Sequence, residues 1–363
     1  MSSSTLPPMT NASAAYGEED LRFIRNFHDI FLSIGLVLFG LGLGFVASLS
    51  LVESVSITDF SSLKEAGWQA SAVFFGGAII MWLLAEFFAR SRRLFLPAIV
   101  ILIGFSWYLF LAVSIAYVTM FGEQDFDSFE SAIEQLTYMP LIVGSIVTTG
   151  VFLYYVRMKL PFAMGLGGVG IVVTATATIF AQNPEGFLGI ATTVQFFSGL
   201  FLFCLGVAFD ARDPSRTTRF SDNAFWLHFF AAPLIFASVM SMTSGGSLDA
   251  WSDGGAGAAA MTLGVVIVFA IISLLINRRA LLVSGLLSAA VAVAVLIGES
   301  GLSGAWTGAL TLLLLGGAMV LLGGGWHVVR RVLIAPFPKS GPIARIIPPE
   351  PNAEETAENQ HAA

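Results

Sequence analysis

The side chains in this chain that could carry out proton or ion chemistry stand near the ends of long apolar segments. They are His28, Asp29, Glu86, Asp210, His228 and His327. Ionisable groups inside hydrocarbon are costly and often belong to proton relays, ion pathways or paired charges. We predict that Glu86, Asp210, His228 and His327 form an ionisable cluster at one membrane level. Because the centres of the segments contain no charged residue or histidine, a proton relay at the middle of the membrane is not expected.

Three of the four members of this cluster also have a purely structural interpretation. Glu86 stands four residues before Arg90, so the two side chains can form a salt bridge on one helical face. His228 suits either an interfacial hydrogen bond or a proton relay, and His327 follows Trp326 in a pattern typical of an aromatic belt. The histidines are too scattered to form a metal motif. We therefore predict no bound metal and no cofactor.

Uncharged polar residues do reach the middle of three apolar segments. Gln195 is the only side-chain amide there, with Thr192 and Thr193 within one turn of it, and Thr174 and Thr148 lie in neighbouring segments. These residues could line a path for a neutral or hydrogen-bonding solute. They could equally hold helices together, since Thr and Gln commonly form hydrogen bonds across transmembrane interfaces. Both interpretations stay open at this stage.

Composition indicates which elements position these residues. Hydrophobic residues make up 56% of the 363 residues and charged residues only 11%, which leaves too little polar surface for a water-soluble globule. A bilayer core needs about 20 apolar residues per helix, and we count about ten such windows. They lie at 28–51, 68–89, 94–121, 138–156, 160–182, 187–209, 224–244, 256–276, 280–298 and 303–329. The fold class expected is an all-α, polytopic transmembrane helical bundle.

The cationic residues alternate between the gaps that separate these windows. Every Lys and Arg except Lys64 falls in alternate gaps or in the terminal segments. Arg90, Arg92, Arg93, Arg157, Lys159, Arg212, Arg216, Arg219, Arg278 and Arg279 occupy the internal gaps of this set. Cytoplasmic loops are enriched in Lys and Arg, so both termini are predicted to be cytoplasmic. Together with the apolar windows, this pattern predicts a multi-pass membrane protein.

The domain organisation expected is one membrane domain with polar ends. Residues 1–15 and 336–363 have compositions typical of disordered cytoplasmic segments. Residues 16–27 carry apolar residues at helical spacing and are predicted to form an interfacial amphipathic helix. Residues 28–335 form the transmembrane bundle.

Glycine spacing indicates close helix packing. Gly40 and Gly44 form a GxxxG pair in the first window, and small residues let helix backbones approach each other in lipid. Packing within the chain is the simpler interpretation. A subunit interface, in a homo-oligomer or with another membrane protein, is the alternative. The lipid bilayer is the partner expected in either case, and no nucleic-acid partner is expected.

Sequence motifs of known enzymes are missing. The chain has no HExxH, GxSxG, P-loop, GxGD or CxxC motif, and its single cysteine, Cys204, lies within the sixth window. This pattern favours a protein without enzymatic activity. A membrane enzyme built on Glu86, Asp210 and His228 is the weakest of the three functions considered.

Three sequence strings resemble those of an uncharacterised family of bacterial polytopic membrane proteins. They are RRLFLP at 92–97, DNAFWLHFFAAPLI at 222–235 and GGGWHVVRRVL at 323–333. The resemblance implies a polytopic protein of the bacterial inner membrane and supplies no activity, cofactor or site residue. About ten spans with short loops and both ends inside are also similar to the topology of drug/metabolite-type transporters, which is an analogy of architecture only.

The leading hypothesis is a permease-like transporter of a small solute or lipid. The alternative is a non-transporting membrane scaffold or sensor subunit.

Overall fold

Helices account for all the regular structure in the described part of the chain. The computed structural model describes residues 27–54, 60–121, 136–213, 218–243, 255–278, 301–338 and 340–349, with 286, 289, 290, 292–294 and 296–298. The first six helices are α1 Phe27–Ser54, α2 Phe60–Ala85, α3 Phe95–Phe121, α4 Met139–Met158, α5 Pro161–Gln182 and α6 Pro184–Asp210. They are followed by α7 Arg219–Thr243, α8 Gly255–Ile276, α9 Gly304–Ile334 and the short α10 Pro342–Ile346. A π-helical segment, Glu86–Ser91, continues α2.

Eight of the described helices are long and apolar enough to cross a membrane. They are α1 to α6, α8 and α9, and each coincides with one of the predicted apolar windows. The all-α fold and the multi-pass membrane class are therefore confirmed. Because hydrocarbon offers no hydrogen bonds to the backbone, a helix is the form in which such segments can cross it.

The other two predicted spans, 224–244 and 280–298, are not among these eight helices. The window at 224–244 forms α7, but this helix is not among the eight. The window at 280–298 lies largely outside the described residues, and the residues described within it are helical. The span count of about ten and the side on which the termini lie stay predictions.

Aromatic side chains form the main core, between α2, α3 and α4. The rings of Trp82 and Phe105 are 5.4 Å apart between centroids, and Tyr154 lies 5.9 Å from Trp82. The hydroxyl of Tyr154 donates to the carbonyl of Ala98 at 3.2 Å, so the buried phenol is satisfied. Successive helices also pack in pairs, α2 on α3, α4 on α5 and α6 on α7.

Short turns bring several cationic gaps to one end of the bundle. The turns after α2, α4 and α8 each contain a non-glycine residue with a left-handed backbone: Arg93 at φ 54°, Lys159 at φ 58° and Asn277 at φ 54°. A left-handed residue ends a helix and reverses the chain within a few residues. The following helix therefore starts beside the end of the preceding one at the turns of Arg93 and Lys159.

Predictions for the chain ends fall partly outside the described residues. Segment 1–15, predicted to be disordered, and nearly all of segment 16–27, predicted to be an interfacial helix, are outside them, and Phe27 is the first residue of α1. In the C-terminal segment 336–363, the structure describes the short helix Pro342–Ile346. Arg330 of α9 donates through Nη2 to the carbonyl of Pro348, which connects this segment to the bundle.

Candidate functional site

The carboxylate of Asp210 is the centre of a buried polar cluster. Asp210 is the last residue of α6, and its Oδ2 lies 3.0 Å from Nε2 of His228 on α7. Nε of Arg278 donates to the same Oδ2 at 3.2 Å, and Nη2 of Arg278 donates to Oδ1. The exposed fraction of the side chain is 12% for Asp210, 0% for His228 and 1% for Arg278. The carboxylate thus lies within hydrogen-bond distance of three nitrogen atoms from two side chains, His228 and Arg278, in a site that is almost completely buried.

Arg278 reaches this carboxylate because α8 ends in a Schellman motif. The N–H of Arg278 donates to the carbonyl of Ser273 at 2.8 Å, and the N–H of Asn277 donates to the carbonyl of Leu274 at 3.3 Å. The left-handed residue in this motif is Asn277, and Asn tolerates that conformation better than most side chains. The amide oxygen of Asn277 also accepts a hydrogen bond from Nε1 of Trp326 at 2.9 Å. The turn therefore directs Arg278 back over the end of the helix.

The guanidinium of Arg278 is also bound by the first turn of α7. Its Nη2 donates to the carbonyl of Ser221 at 3.1 Å and to the Ser221 hydroxyl at 3.0 Å. A planar guanidinium carries several donors in fixed directions, so it can contact two helices at once. Arg278 consequently joins α6, α7 and the end of α8.

The imidazole of His228 fits into a notch in α6. A Cβ built at Gly206 would lie 2.9 Å from Cε1 of His228, so this position needs glycine for the ring to approach. The ring of Phe203 packs edge-on against the imidazole of His228, with 5.0 Å between the centroids. Since an ionised carboxylate only accepts hydrogen bonds, Nε2 of His228 carries the proton in its bond to Asp210.

The four residues predicted to cluster are divided between different sites. Asp210 and His228 are together, and the other partner of the Asp210 carboxylate among the described residues is Arg278. Glu86 forms the expected pair with Arg90 at 3.0 Å, and it also accepts from Arg157 of α4 at 2.6 Å. His327 is partly buried on α9 and is not a partner of Asp210. Among the described residues, no group of three His, Cys, Asp or Glu could hold a metal ion.

The polar residues predicted at mid-membrane lie mostly in helix contacts. Thr148 of α4 packs against Gly170 of α5. A Cβ built at Gly170 would lie 2.5 Å from the hydroxyl oxygen of Thr148. Thr174 of α5 packs against Gly144 of α4 in the same way, since a Cβ built at Gly144 would lie 2.3 Å from the hydroxyl oxygen of Thr174. Both contacts pack α4 against α5.

The other three residues of this set are on α6. The hydroxyl of Thr192 lies 3.3 Å from that of Ser241 on α7, Gln195 is half-buried and Thr193 is exposed. Three of the five residues in the set therefore contact a neighbouring helix, which is the arrangement expected of helix packing.

The two glycines predicted to pack helices contact side chains of this chain. A Cβ at Gly40 would lie 3.3 Å from Cε of Met81, and one at Gly44 would lie 3.0 Å from the hydroxyl of Tyr108. That hydroxyl donates to the carbonyl of Gly40 at 2.7 Å. The GxxxG face of α1 is thus in contact with α2 and α3.

Sequence reasoning missed the cationic member of the cluster. The charge pattern treats Arg278, and Arg330 after the last apolar window, only as cytoplasmic charges, yet each is 1% exposed. Arg330 donates through Nε to the carbonyl of Leu274 at 2.9 Å. The sequence gives no signal for this burial, because Arg92 and Arg93 form an Arg-Arg pair like those at 278–279 and 330–331 and both are exposed.

Comparison with family models, curated proteins and solved structures finds no match to this chain. The geometry of the Asp210 cluster therefore carries the functional inference.

Proposed function

We propose that this multi-pass membrane protein is a permease-like transporter of a small solute or a lipid. The observation that carries the proposal is the buried contact of Asp210 with His228 and Arg278. Ionisable groups in membrane-spanning helices are rare, and those that occur are paired and commonly serve ion, proton or substrate movement. A purely structural contact between these helices could be made with apolar side chains at lower cost in desolvation.

In this proposal the cluster is a latch at one end of the bundle. Its three members come from α6, from α7 and from the turn after α8, so their contacts hold three helix ends together. Transport by alternating access requires groups of helices to separate at one end while they close at the other. A paired and a separated state of the Asp210 cluster would provide the two discrete arrangements that such a change needs.

The proposal includes the membrane topology derived from the charge pattern. Ten spans would comprise the eight apolar helices together with α7 and the segment 280–298, with both termini in the cytoplasm of a bacterium. The Asp210 latch would then close the cytoplasmic end, the same end at which Glu86 binds Arg90 and Arg157.

Flux into proteoliposomes tests the function. The full chain is reconstituted in phosphatidylethanolamine and phosphatidylglycerol vesicles and supplied with labelled amino acids, sugars, inorganic ions and fluorescent phospholipids. The key variant combines Asp210→Asn with Arg278→Gln, which removes both charges and leaves no buried charge without a partner. Glu86→Gln is the matched control, since it removes a carboxylate from a half-exposed ion pair.

We expect at least one probe to move faster than in protein-free vesicles. The double variant should lower that rate by about tenfold, within the usual range for losing a coupling between two conformations. The control should retain the rate. A folded protein that moves none of the probes, or a folded double variant that transports normally, would contradict the proposal.

A further inference from the structure

A basic cavity opens at the end of the bundle where α2 and α4 finish. Its volume is about 1130 Å³, and residues that begin α3, α5 and α7 complete its wall. Five cationic side chains line it: Arg90, Arg93, Arg157, Lys159 and Arg219. The cavity is separate from the Asp210 cluster, since none of that cluster's residues is part of its lining.

The charges of this cavity are only partly compensated. Arg90 and Arg157 both donate to Glu86, so one carboxylate lies between two cations. Arg93, Lys159 and Arg219 form no salt bridge with another described residue. Guanidinium and ammonium groups that surround a cavity in this way favour an anion, and phosphate oxygens match the fork of an arginine.

The cavity continues into an apolar groove. Trp82 and Leu153 line both the cavity and a groove of about 550 Å³ between α2, α3 and α4. The groove follows α2 from Trp82 to Phe75, a rise of about 10 Å at 1.5 Å per residue. Its open side faces outward from the bundle, where Phe75, Ile79 and Leu153 are 51%, 47% and 58% exposed. In a membrane, that side would be in contact with lipid.

We propose that the basic cavity and the apolar groove together bind one anionic glycerophospholipid. The lipid phosphate lies among Arg93, Lys159 and Arg219, and one acyl chain follows the groove past Trp82. A cluster of cations at the membrane surface attracts anionic lipid, and the groove supplies the contact that a small soluble anion could not use. The site does not depend on transport, because neither its charges nor its groove involve the Asp210 latch.

Native mass spectrometry of the full chain in detergent tests the site. The protein is titrated separately with phosphatidylglycerol, phosphatidylcholine and soluble glycerol phosphate. One variant combines Arg93→Gln, Lys159→Gln and Arg219→Gln. Its matched control combines Arg92→Gln, Arg331→Gln and Arg345→Gln, which makes the same change in net charge at exposed positions that do not line the cavity. Thr149→Trp, at an exposed position of the groove lining, adds bulk to the groove without changing charge.

We expect the cavity variant to weaken phosphatidylglycerol binding by about tenfold or more, in line with the attraction of each cation to anionic lipid. The control should change it less than twofold, and Thr149→Trp should weaken it severalfold. Phosphatidylcholine should bind more weakly than phosphatidylglycerol in the unmodified protein. Circular dichroism and thermal unfolding check that each variant is folded.

Three results would overturn the proposal. Equal binding of the two lipids would remove the charge selectivity. Equal losses in the cavity variant and its control would show a general effect of net charge. Binding of glycerol phosphate as tight as that of phosphatidylglycerol, with no effect of Thr149→Trp, would identify a soluble-anion site.

Discussion

The carboxylate of Asp210 and the guanidinium of Arg278 form a buried ion pair between residues 68 apart in the chain. The pair joins the end of α6 to the turn after α8, and His228 of α7 completes it. Desolvating two charges is costly, but removing one partner of a buried pair costs more, because the other charge stays buried alone. Single substitutions at this pair should therefore affect the protein more than substitutions at exposed charges.

Asp210→Asn should lower the free energy of unfolding by about 3–5 kcal/mol, because it leaves Arg278 buried without its counter-charge. Adding Arg278→Gln should cost less than the sum of the two single losses, since the two groups interact directly. Thermal unfolding in detergent measures all three variants. Glu86→Gln, at a half-exposed pair, should cost less than about 1 kcal/mol. Similar losses of unfolding free energy for Asp210→Asn and Glu86→Gln would show that burial of an ion pair does not determine its effect on stability.

Gly206→Ala should displace the imidazole of His228, since the new Cβ would lie 2.9 Å from its Cε1. We expect a loss of about 1–3 kcal/mol from this overpacking. Gly189→Ala is the control on the same helix, with no atom within 4 Å of the new Cβ, and it should be neutral or stabilising by about 0.5–1 kcal/mol. Unfolding midpoints of the two variants provide the comparison. The prediction fails if both substitutions have the same effect.

Two substitutions at Asn277 distinguish the cost of backbone strain in the turn after α8 from the cost of a lost hydrogen bond. Asn277→Ala and Asn277→Gly both lose the bond from Trp326, worth about 1 kcal/mol. Alanine also has to adopt the left-handed backbone at φ 54°, which costs about 1–2 kcal/mol more than it costs glycine. Trp326→Phe should cost more than the glycine variant, because it removes the same bond and also leaves a gap where the buried indole packs. Equal stabilities for the alanine and glycine variants would show that the turn does not impose this strain.

Two single-cysteine variants test the topology. Cys204 is the only cysteine, so Cys204→Ser provides a background without thiols. Ser91→Cys, between α2 and α3, and Ser303→Cys, just before α9, are both at exposed positions. We expect a membrane-impermeant maleimide to label Ser303→Cys in intact cells and Ser91→Cys only after the membrane is opened. Labelling of both from the same side would refute the predicted ten-span arrangement.

Helix positions could be predicted from the apolar windows because the cause is local. The window at 94–121 became Phe95–Phe121, and the window at 160–182 became Pro161–Gln182, with proline in its first turn. Lipid cannot satisfy backbone polar groups, so a long apolar segment that enters it has to form a helix. The π-helical end of α2 was not predicted, because hydropathy carries no information on hydrogen-bond register.

The candidate site was predictable only in part. The sequence placed Asp210 and His228 near helix ends, and the structure puts them 3.0 Å apart. Glu86 had the same sequence signature but is paired with Arg90 and Arg157 instead. Sequence spacing specifies i, i+4 partners such as Arg90, whereas a partner such as Arg157, 71 residues away, depends on how the helices pack.

The amino-acid sequence by itself determined that this protein is helical and spans a membrane many times, since composition and periodicity act through local solvation of each segment. Tertiary structure alone decided which cations are buried. Arg278 is buried at the end of the bundle, with 1% exposure, while the side chains of Arg90 and Arg157 are about half exposed. The left-handed turn at Asn277 directs Arg278 toward Asp210, and the notch at Gly206 admits the ring of His228 beside the same carboxylate. Both act by bringing distant helix ends within hydrogen-bond range, an effect that no single segment of the chain contains.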